Sequence, residues 1–346
     1  MCILEALGEV IDSPVSAYRH RGPRASRWER TNRVFVMRIT RSDKCSPDKL
    51  YAMNRMSSKP QFSVGQILNG AASLGLLGAS AHSGPRLIAI LCNPQISARE
   101  TVDLIRTEPA IHLRILRVAN STYYGQMRSV TTIDRALVLL GLDAVRGIAA
   151  AVCVGRTMAR GGTGPLVDLT ALLHHGLAAA TAAESLAGLT CPARSADAFI
   201  AGLLHNLGTV VQMHLDAPGM RSMIAARSVG AGRDMRALES MHAAVGHEEC
   251  AATIFEAWQL PDALVAAARH HHEPSEAPGA HRELTALVNL GANLALASGH
   301  TFALESDPGV RDSSAVAQLG LSDADMNHVE ASLPQRMGEL RGALGL

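Results

Sequence analysis

The architecture of this 346-residue chain is inferred from one segment, Ala201-Gly202-Leu203-Leu204-His205-Asn206-Leu207-Gly208. It follows the apolar pair Phe199-Ile200 at helical spacing, and a histidine and an amide stand where another leucine turn would be expected. A side chain that can bind a metal ion or a proton is therefore held at the edge of a core. Four further histidines are expected to converge on the same place: His175, His247, His271 and His272.

The composition favours a helical protein. Hydrophobic residues make up 47% of the chain and charged residues 18%, so one large or two modest domains can bury a core. Aromatic residues are only 3%, and a core of Ala, Leu, Val, Ile and Met suits closely packed helices. The formal net charge of +1 gives no overall field that would attract nucleic acid or a membrane.

The cysteines and the first residues indicate a cytoplasmic protein. The six cysteines are scattered without a CxxC pair, so they are interpreted as reduced thiols, not as disulfides or a zinc ribbon. No apolar run reaches the roughly 20 residues that a membrane span requires. Residues 1–10 carry two acids and no basic region, so they do not form a secretory signal.

The chain is predicted to divide into an arginine-rich leader, a front helical half, a back helical half and a C-terminal helical extension, at residues 1–60, 61–160, 161–300 and 301–346. The leader has few core-forming residues, which indicates a disordered segment. Alternatively, translation starts at Met53 or Met56, and the leader is not part of the protein. Within it, residues 33–40 could form a short strand. The alternative is a basic arm for nucleic acid, although no aromatic stacking pattern accompanies the arginines.

Helical spacing dominates after residue 60. Apolar residues recur at intervals of three and four, and no convincing strand follows the leader. Ser97 and Glu100 have the spacing of a capping box. Asp168 and Ser322 are each expected to cap a helix.

Two short predicted helices, 133–140 and 144–154, flank Gly141, and Asp143 is expected to cap the second of them. The pair resembles a helix-turn-helix, whose groove-facing helix would be polar and basic. Residues 144–154 are almost wholly apolar, so we interpret them as a core helix and consider nucleic acid an unlikely partner.

The five histidines would lie on several helices around one cavity, as in a metal-dependent phosphohydrolase. A metal ion in such a site lowers the pKa of a bound water and generates hydroxide near neutral pH. Imidazoles alone favour late transition metals, whereas carboxylates bring in Mg, Mn or Fe and help to neutralise the ions.

Carboxylates are expected to be absent from the two positions of this site where an Asp would serve as a ligand. Asn206 follows His205 where an Asp would serve, and Asn293 is again an amide in place of an acid. Because amide oxygens are neutral and weaker ligands, these two differences argue against the tight binding of two ions. The imidazoles could still bind one adventitious zinc or nickel ion. No GxSxG motif or P-loop offers another chemistry.

Further residues make the chain similar to a known family. They are Glu108-Pro109-Ala110, Leu116-Arg117-Val118-Ala119-Asn120-Ser121, Tyr124-Gly125, Ile133, Ala136, Leu140-Gly141, the segment 201–208, Gly246-His247-Glu248, Trp258-Gln259-Leu260-Pro261 and His271-His272-Glu273-Pro274. Over about residues 80–300 this ordered series resembles HDOD domains. The complete ordered series is specific for this family, whereas any one of these motifs alone is weak evidence for it.

The resemblance implies an all-α, HD-domain-like helical bundle with a front helical subdomain. HDOD domains are similar to the HD and HD-GYP phosphohydrolases but generally lack the full set of metal ligands. By this resemblance the former ligand positions are vestigial and are occupied by His175, His205, Asn206, His247, His271, His272 and Asn293. Gly176 departs from the Ser that many members carry after the first histidine.

The family resemblance also implies a function. HDOD domains are regarded as regulatory modules of bacterial signalling proteins, so we expect a non-enzymatic signal-transduction module that contacts signalling proteins or senses a small ligand. We expect no catalytic residue and no cofactor. The second hypothesis is a metal-dependent phosphodiesterase acting on nucleotides or cyclic dinucleotides. The third is a DNA-binding regulator that uses the arginine-rich leader.

Overall fold

The computed structural model describes residues 62–74, 76–77, 84–93, 95–120, 129–160, 166–229, 235–305 and 312–344, which belong to one unit, Tyr51–Leu346. Several sequence predictions therefore lie outside the described residues: the leader at 1–60 with its strand at 33–40, and the pair Tyr124-Gly125.

The described residues form sixteen α-helices: α1 (Val64–Ser73), α2 (Gly84–Leu91), α3 (Ala98–Arg106), α4 (Pro109–Ala119), α5 (Ile133–Leu140), α6 (Leu142–Arg160), α7 (Leu169–Thr190), α8 (Ser195–Leu204), α9 (Gly208–Leu215), α10 (Ala217–Val229), α11 (Met235–His242), α12 (His247–Ala257), α13 (Asp262–His270), α14 (Arg282–Ala297), α15 (Ser313–Leu319) and α16 (Asp323–Leu344). Short 3-10 turns at Pro192–Arg194, Pro274–Glu276 and Gly279–His281 join some of them.

The predicted fold class, an all-α helical bundle, is confirmed. Across the described ranges there is no β-strand, and the nearest approach to one is an isolated bridge between Phe302 and Glu305. Among the same residues no single helix is both long and apolar enough to cross a membrane, and one bent pair of helical segments, Ile133–Leu140 with Ala144–Cys153, meets that test by length and composition only.

Two helices begin at the caps that the sequence predicts, Ser97 and Asp168. Ser97 Oγ accepts from Glu100 N at 3.2 Å while Glu100 Oε2 accepts from Ser97 N at 2.8 Å, which is the reciprocal capping box. Asp168 Oδ1 accepts from Thr170 N at 2.8 Å and thereby caps α7. These caps satisfy backbone N–H groups that the helix itself leaves without partners.

The predicted cap at Asp143 is wrong. Helix α6 begins at Leu142, so Asp143 lies inside the first turn, and the helix continues to Arg160. Gly141, at φ +83°, ends α5, and its carbonyl accepts from Val145 N at 3.3 Å, so α6 starts without a separate linker. Six apolar residues of α6 are buried, as expected for a core helix: Val145, Ile148, Ala149, Ala150, Ala151 and Cys153.

Helix α7 is the centre of the packing. It contacts α8, α14 and α16, and most of its buried residues are alanines or glycine, which lets neighbouring backbones approach closely. The front helices join the same core, because α6 packs on α8 and α4 on α16. In addition, Trp258 Nε1 donates to Leu76 O at 2.8 Å. The site described below depends on the α7–α8 and α7–α14 contacts.

The α7–α14 crossing has no room for one more carbon atom. A Cβ on Gly291 would lie 2.6 Å from Ala179 O and 2.9 Å from Ala183 Cβ. We expect Gly291→Ala to lower the free energy of unfolding by about 1–3 kcal/mol through overpacking. Gly188→Ala on α7 is the control, because a Cβ there meets nothing within 4 Å and should stabilise the helix by about 0.5–1 kcal/mol. Urea unfolding measures both, and equal effects of the two variants would contradict the packing argument.

The cap of α7 gives a second test. Asp168→Ala removes the acceptor for Thr170 N, so we expect a loss of about 1 kcal/mol in the free energy of unfolding. Asp168→Asn keeps an oxygen that can cap and should lose little. If both variants lose the same stability in urea unfolding, the carboxylate charge and not the cap is responsible.

Candidate functional site

The five predicted histidines come together inside the bundle. Neighbouring ring centroids lie 4.3–5.3 Å apart along the series, from His175 to His205, then His271, and from there to His247 and His272. We call these five residues the imidazole cluster. Its members come from α7, the end of α8, the start of α12 and the end of α13.

Helix ends hold two of the rings by the same contact. His205 follows α8, and its Nδ1 donates to Gly202 O at 2.6 Å. His271 follows α13, and its Nδ1 donates to Ala268 O at 3.0 Å. In each case the ring turns back to a carbonyl three residues earlier, one of those that a helix C-terminus leaves free. The Nδ1 proton is thereby fixed, and Nε2 points into the cluster.

His175 and His205 face each other through their Nε2 atoms at 3.3 Å. His175 Nδ1 donates to His300 O at 2.8 Å, so the Nδ1 atoms of both rings are engaged by carbonyls. Burial lowers the pKa of His175, and burial together with the charge of His175 lowers the pKa of His205 to about 3. Both rings are therefore neutral near pH 7, and two lone pairs face each other in the core.

His247, His271 and His272 form the other part of the cluster. His247 Nε2 lies 3.2 Å from the Nε2 atoms of both His271 and His272. The ligand atoms of the three rings lie within 4.8 Å of one another, as a shared metal ion would require. Burial and the neighbouring imidazoles lower the pKa of His271 well below its ordinary value.

Glu239 supports His247 from behind. Its Oε1 accepts from His247 Nδ1 at 2.8 Å and from His247 N at 2.9 Å, and Gln212 Nε2 donates to the same oxygen at 2.6 Å. Burial alone would lower the pKa of His247, but the Glu239 carboxylate raises it to about 9. Without a bound ion, His247 therefore carries protons on both nitrogens at neutral pH, and its Nε2–H faces the other two rings.

A carboxylate that the sequence analysis missed lies between the two parts of the cluster. Glu305 Oε2 is 3.5 Å from His175 Nε2, and Glu305 Oε1 is 3.3 Å from His272 Nε2. Burial would raise the pKa of Glu305, but the His272 contact and the nearby imidazoles hold it well below its usual range. Positions 206 and 293 remain amides, but the cluster has a carboxylate that the sequence analysis did not consider, Glu305.

No motif marks Glu305 in the sequence. It belongs to a short segment after α14, where the Phe302–Glu305 bridge turns the chain back toward α7, and the Phe302 ring packs 5.4 Å from that of His175. The only local signal is an acid directly after Phe302-Ala303-Leu304, of which Phe302 and Leu304 are buried.

The asparagines take different places. Asn206 is buried beside His205, and neither its Oδ1 nor its Nδ2 has a hydrogen-bond partner among the described residues. Asn293 is half-buried and lies one helical turn after Asn289 on α14. Its Nδ2 donates to Asn289 Oδ1 at 3.2 Å. Asn289 in turn donates to His271 O at 2.8 Å. On α14 it is therefore Asn289 that contacts a cluster residue, and sequence reasoning missed it.

Gly176 lies where α7 crosses α8, and the close approach of the two helices accounts for a glycine at this position. A Cβ at this position would lie 2.9 Å from Leu203 O, so a serine here would require the two helices to shift. Despite this departure, His175 is fully buried and contacts His205.

The residues of the cluster fit a transition-metal ion. Two nitrogens that share a tetrahedral zinc ion lie about 3.3 Å apart, which follows from a Zn–N distance of about 2.0–2.1 Å. The observed Nε2–Nε2 distances are 3.2 to 3.3 Å. Metal-bound histidines also donate their other N–H to a carbonyl or carboxylate, as His175, His205, His247 and His271 do here. The orphaned amide of Asn206 is a further sign of a missing polar partner.

Comparison with known proteins places the chain in a family. The model of the HDOD domain matches residues 80–274, which is more than half of the chain. An uncharacterized protein of Treponema pallidum (strain Nichols) is 28% identical over 203 residues, or 57% of this chain and 37% of the relative. The chain thus spans little more than a third of that curated relative.

Solved structures share the fold. The "Putative signal transduction protein" from Marinobacter aquaeolei VT8 is 22% identical with a TM-score of 0.64, and the match covers 86% of this chain and 64% of that one. An HDOD domain protein with unknown function from Geobacter sulfurreducens is 20% identical with a TM-score of 0.58, and the match covers 85% and 95% of the two chains. With the family match over residues 80–274, the chain belongs to the HDOD domain family.

Proposed function

We propose that this protein is a regulatory module that does not hydrolyse phosphate esters and that acts in signal transduction through contact with other signalling proteins. Membership of the HDOD family supports the regulatory role. The proposed lack of hydrolytic activity is supported by one observation, the burial of the imidazole cluster. His175, His205, His247 and His271 are each at most 2% exposed.

Enclosure matters because a phosphohydrolase must admit its substrate. A phosphoryl oxygen has to reach the metal ion and its bound water within ligand distance. In this protein the Nε2 atoms point at one another across 3.2–3.3 Å, and the Glu305 side chain, 8% exposed, packs beside them. The His272 side chain, 22% exposed, is the most accessible member of the cluster. A buried constellation of this kind can stabilise a fold or a conformational state without binding a substrate.

The metal-dependent phosphohydrolase is kept as a second candidate because of Glu305. This carboxylate restores one negative charge to a site in which Asn206 is an amide. An anionic oxygen is what lets a histidine site bind Mn or Fe in addition to zinc. The activity would then require an opening movement that brings substrate to the ions. The third hypothesis, a DNA-binding regulator, rests on the leader, which lies outside the described residues.

The hydrolysis assay separates the first two candidates. We expect the full chain, reconstituted with Mn²⁺, Fe²⁺ or Zn²⁺, to release no more nitrophenolate from bis-p-nitrophenyl phosphate than the His205→Ala variant does, and to leave cyclic dinucleotides intact. The physical reason is the burial of the cluster. His270→Ala is the matched control, because His270 lies next to the cluster on α13 but is not a member of it.

Turnover that His205→Ala abolishes and His270→Ala retains would overturn the non-hydrolytic proposal and favour the phosphodiesterase. Metal content is measured on each sample by mass spectrometry, so that a lack of turnover in the wild type counts only when that sample carries ions.

A further inference from the structure

The front half of the bundle carries a surface groove between the end of α2 and helix α3. Its volume is about 450 Å³, and its apolar lining comes from Ile90, Ile96 and Leu104. Leu104 packs on the core, whereas Ile90 and Ile96 are half-buried and lie outside the apolar core that the described residues form. The groove therefore offers apolar surface that the fold itself does not use.

The wall of the groove opposite α3 is held in place by a buried arginine. Arg146 of α6, 8% exposed, donates from Nη2 to Asn93 O at 3.3 Å and from Nε to Leu91 O. Asn93 O also accepts from Ile96 N at 3.1 Å, and Asn93 Oδ1 accepts from Gln95 N at 2.9 Å. Because these bonds hold Asn93, Gln95 and Ile96 before a partner arrives, binding requires little further ordering of this wall.

Helix α3 supplies the other wall and two exposed acids. Glu100 and Asp103 lie one turn apart, and both line the groove. Glu100 Oε2 accepts from Ser97 N at 2.8 Å, so this carboxylate is held at the rim by the capping box. The remaining polar side chains that line the groove are uncharged: Asn93, Gln95 and Thr107.

The arginines of α3 do not offset these acids. Among the described residues that line the groove there is no basic side chain, since Arg99 and Arg106 lie outside it. Arg106 is shared between two carboxylates: its Nη1 lies 3.2 Å from Asp103 Oδ1 and its Nη2 2.7 Å from Asp134 Oδ2. One cation between two anions leaves a net negative charge, and Glu100 adds to it.

We propose that the groove between α2 and α3 binds a basic, amphipathic segment of a partner protein. Apolar side chains of the segment contact Ile90 and Ile96, and its lysines or arginines pair with Glu100 and Asp103. Charge complementarity decides the occupant, because an acidic rim repels the phosphates of nucleic acids and of anionic lipids. The inference rests on the proposed function, contact with other signalling proteins, and identifies the surface that makes this contact.

The test uses the full chain and three fluorescein-labelled synthetic peptides. The first carries leucines at helical spacing with lysines between them, so it is amphipathic and basic. In the second, glutamate replaces every lysine, and the third has the composition of the first in an order without an apolar face. Fluorescence anisotropy measures the dissociation constants. We expect the first peptide to bind at least ~10-fold more tightly than the other two.

Glu100→Gln combined with Asp103→Asn removes both charges and keeps the shapes of the side chains. Glutamine at position 100 can still complete the capping box, so the helix keeps its start. We expect the affinity for the basic peptide to fall at least ~10-fold in this double variant. The affinity should also become nearly independent of salt, because the screened charges have been removed.

A second groove supplies the matched control. It has a volume of about 590 Å³ beside α13, and its lining includes the acids Glu256 and Asp262 together with Arg269, His270 and His281. Glu256→Gln combined with Asp262→Asn removes the same two charges from the chain. An effect of net charge alone would be equal in the two double variants, whereas we expect this control to keep the affinity of the wild type.

The apolar part of the groove is tested by Ile96→Ser. Because Ile96 is half-buried outside the core, we expect this variant to fold and to bind the basic peptide at least ~3-fold more weakly. Leu113→Ser, which changes an exposed leucine of α4 outside the groove, should bind as the wild type does. Circular dichroism and melting curves establish that each variant is folded.

Binding of the basic peptide that the variants of the groove weaken and both controls keep supports the proposal. Absence of binding, equal affinities for the three peptides, equal losses in the two double variants, or unchanged binding by Ile96→Ser overturns it. Hydrolysis plays no part in these measurements. A negative result would leave the proposed lack of hydrolysis standing, and turnover in the hydrolysis assay would leave the measured affinities unchanged.

Discussion

The close packing of α7 against α8 and α14 is the constraint on which the rest of the structure depends. Small residues along α7 let three backbones approach to distances at which no further carbon atom fits, as at Gly291. This approach brings His175 within contact of His205 and sets α14 beside His271. A looser bundle would separate the imidazoles by the length of a side chain, and their shared site would be lost.

Much of the fold follows from local signals that the sequence shows directly. The caps at Ser97 and Asp168 are short-range, because the side chain and its backbone partner are two or three residues apart. The apolar periodicity and the scarcity of aromatic residues likewise indicated helices. The prediction of a cap at Asp143 was wrong for a local reason: the carbonyl of Gly141 accepts the first helical hydrogen bond, so the helix begins two residues earlier than its apolar pattern indicates.

The site was predicted only in part, because its histidines have sequence signals and its carboxylate has none. His205, His247, His271 and His272 stand at helix ends with recognisable flanking residues, and the structure brings all of them together with His175. Glu305 reaches the cluster through a tertiary contact across 130 residues of sequence, with His175. Asn289 was missed for a related reason: on a helix buried almost all round, periodicity does not tell which of two amides one turn apart faces the site.

The position of Glu305 after the family-matched region has a consequence for how this chain is divided. A protein shortened at residue 274 would lose α14, which covers the alanine-rich face of α7, and with it the acid that counters the charge of the imidazoles. What remained would keep all five imidazoles of the cluster, but the alanine-rich face of α7 would be uncovered. The family boundary and the smallest self-sufficient folding unit are therefore different things in this molecule, and the sequence beyond the boundary belongs to the site.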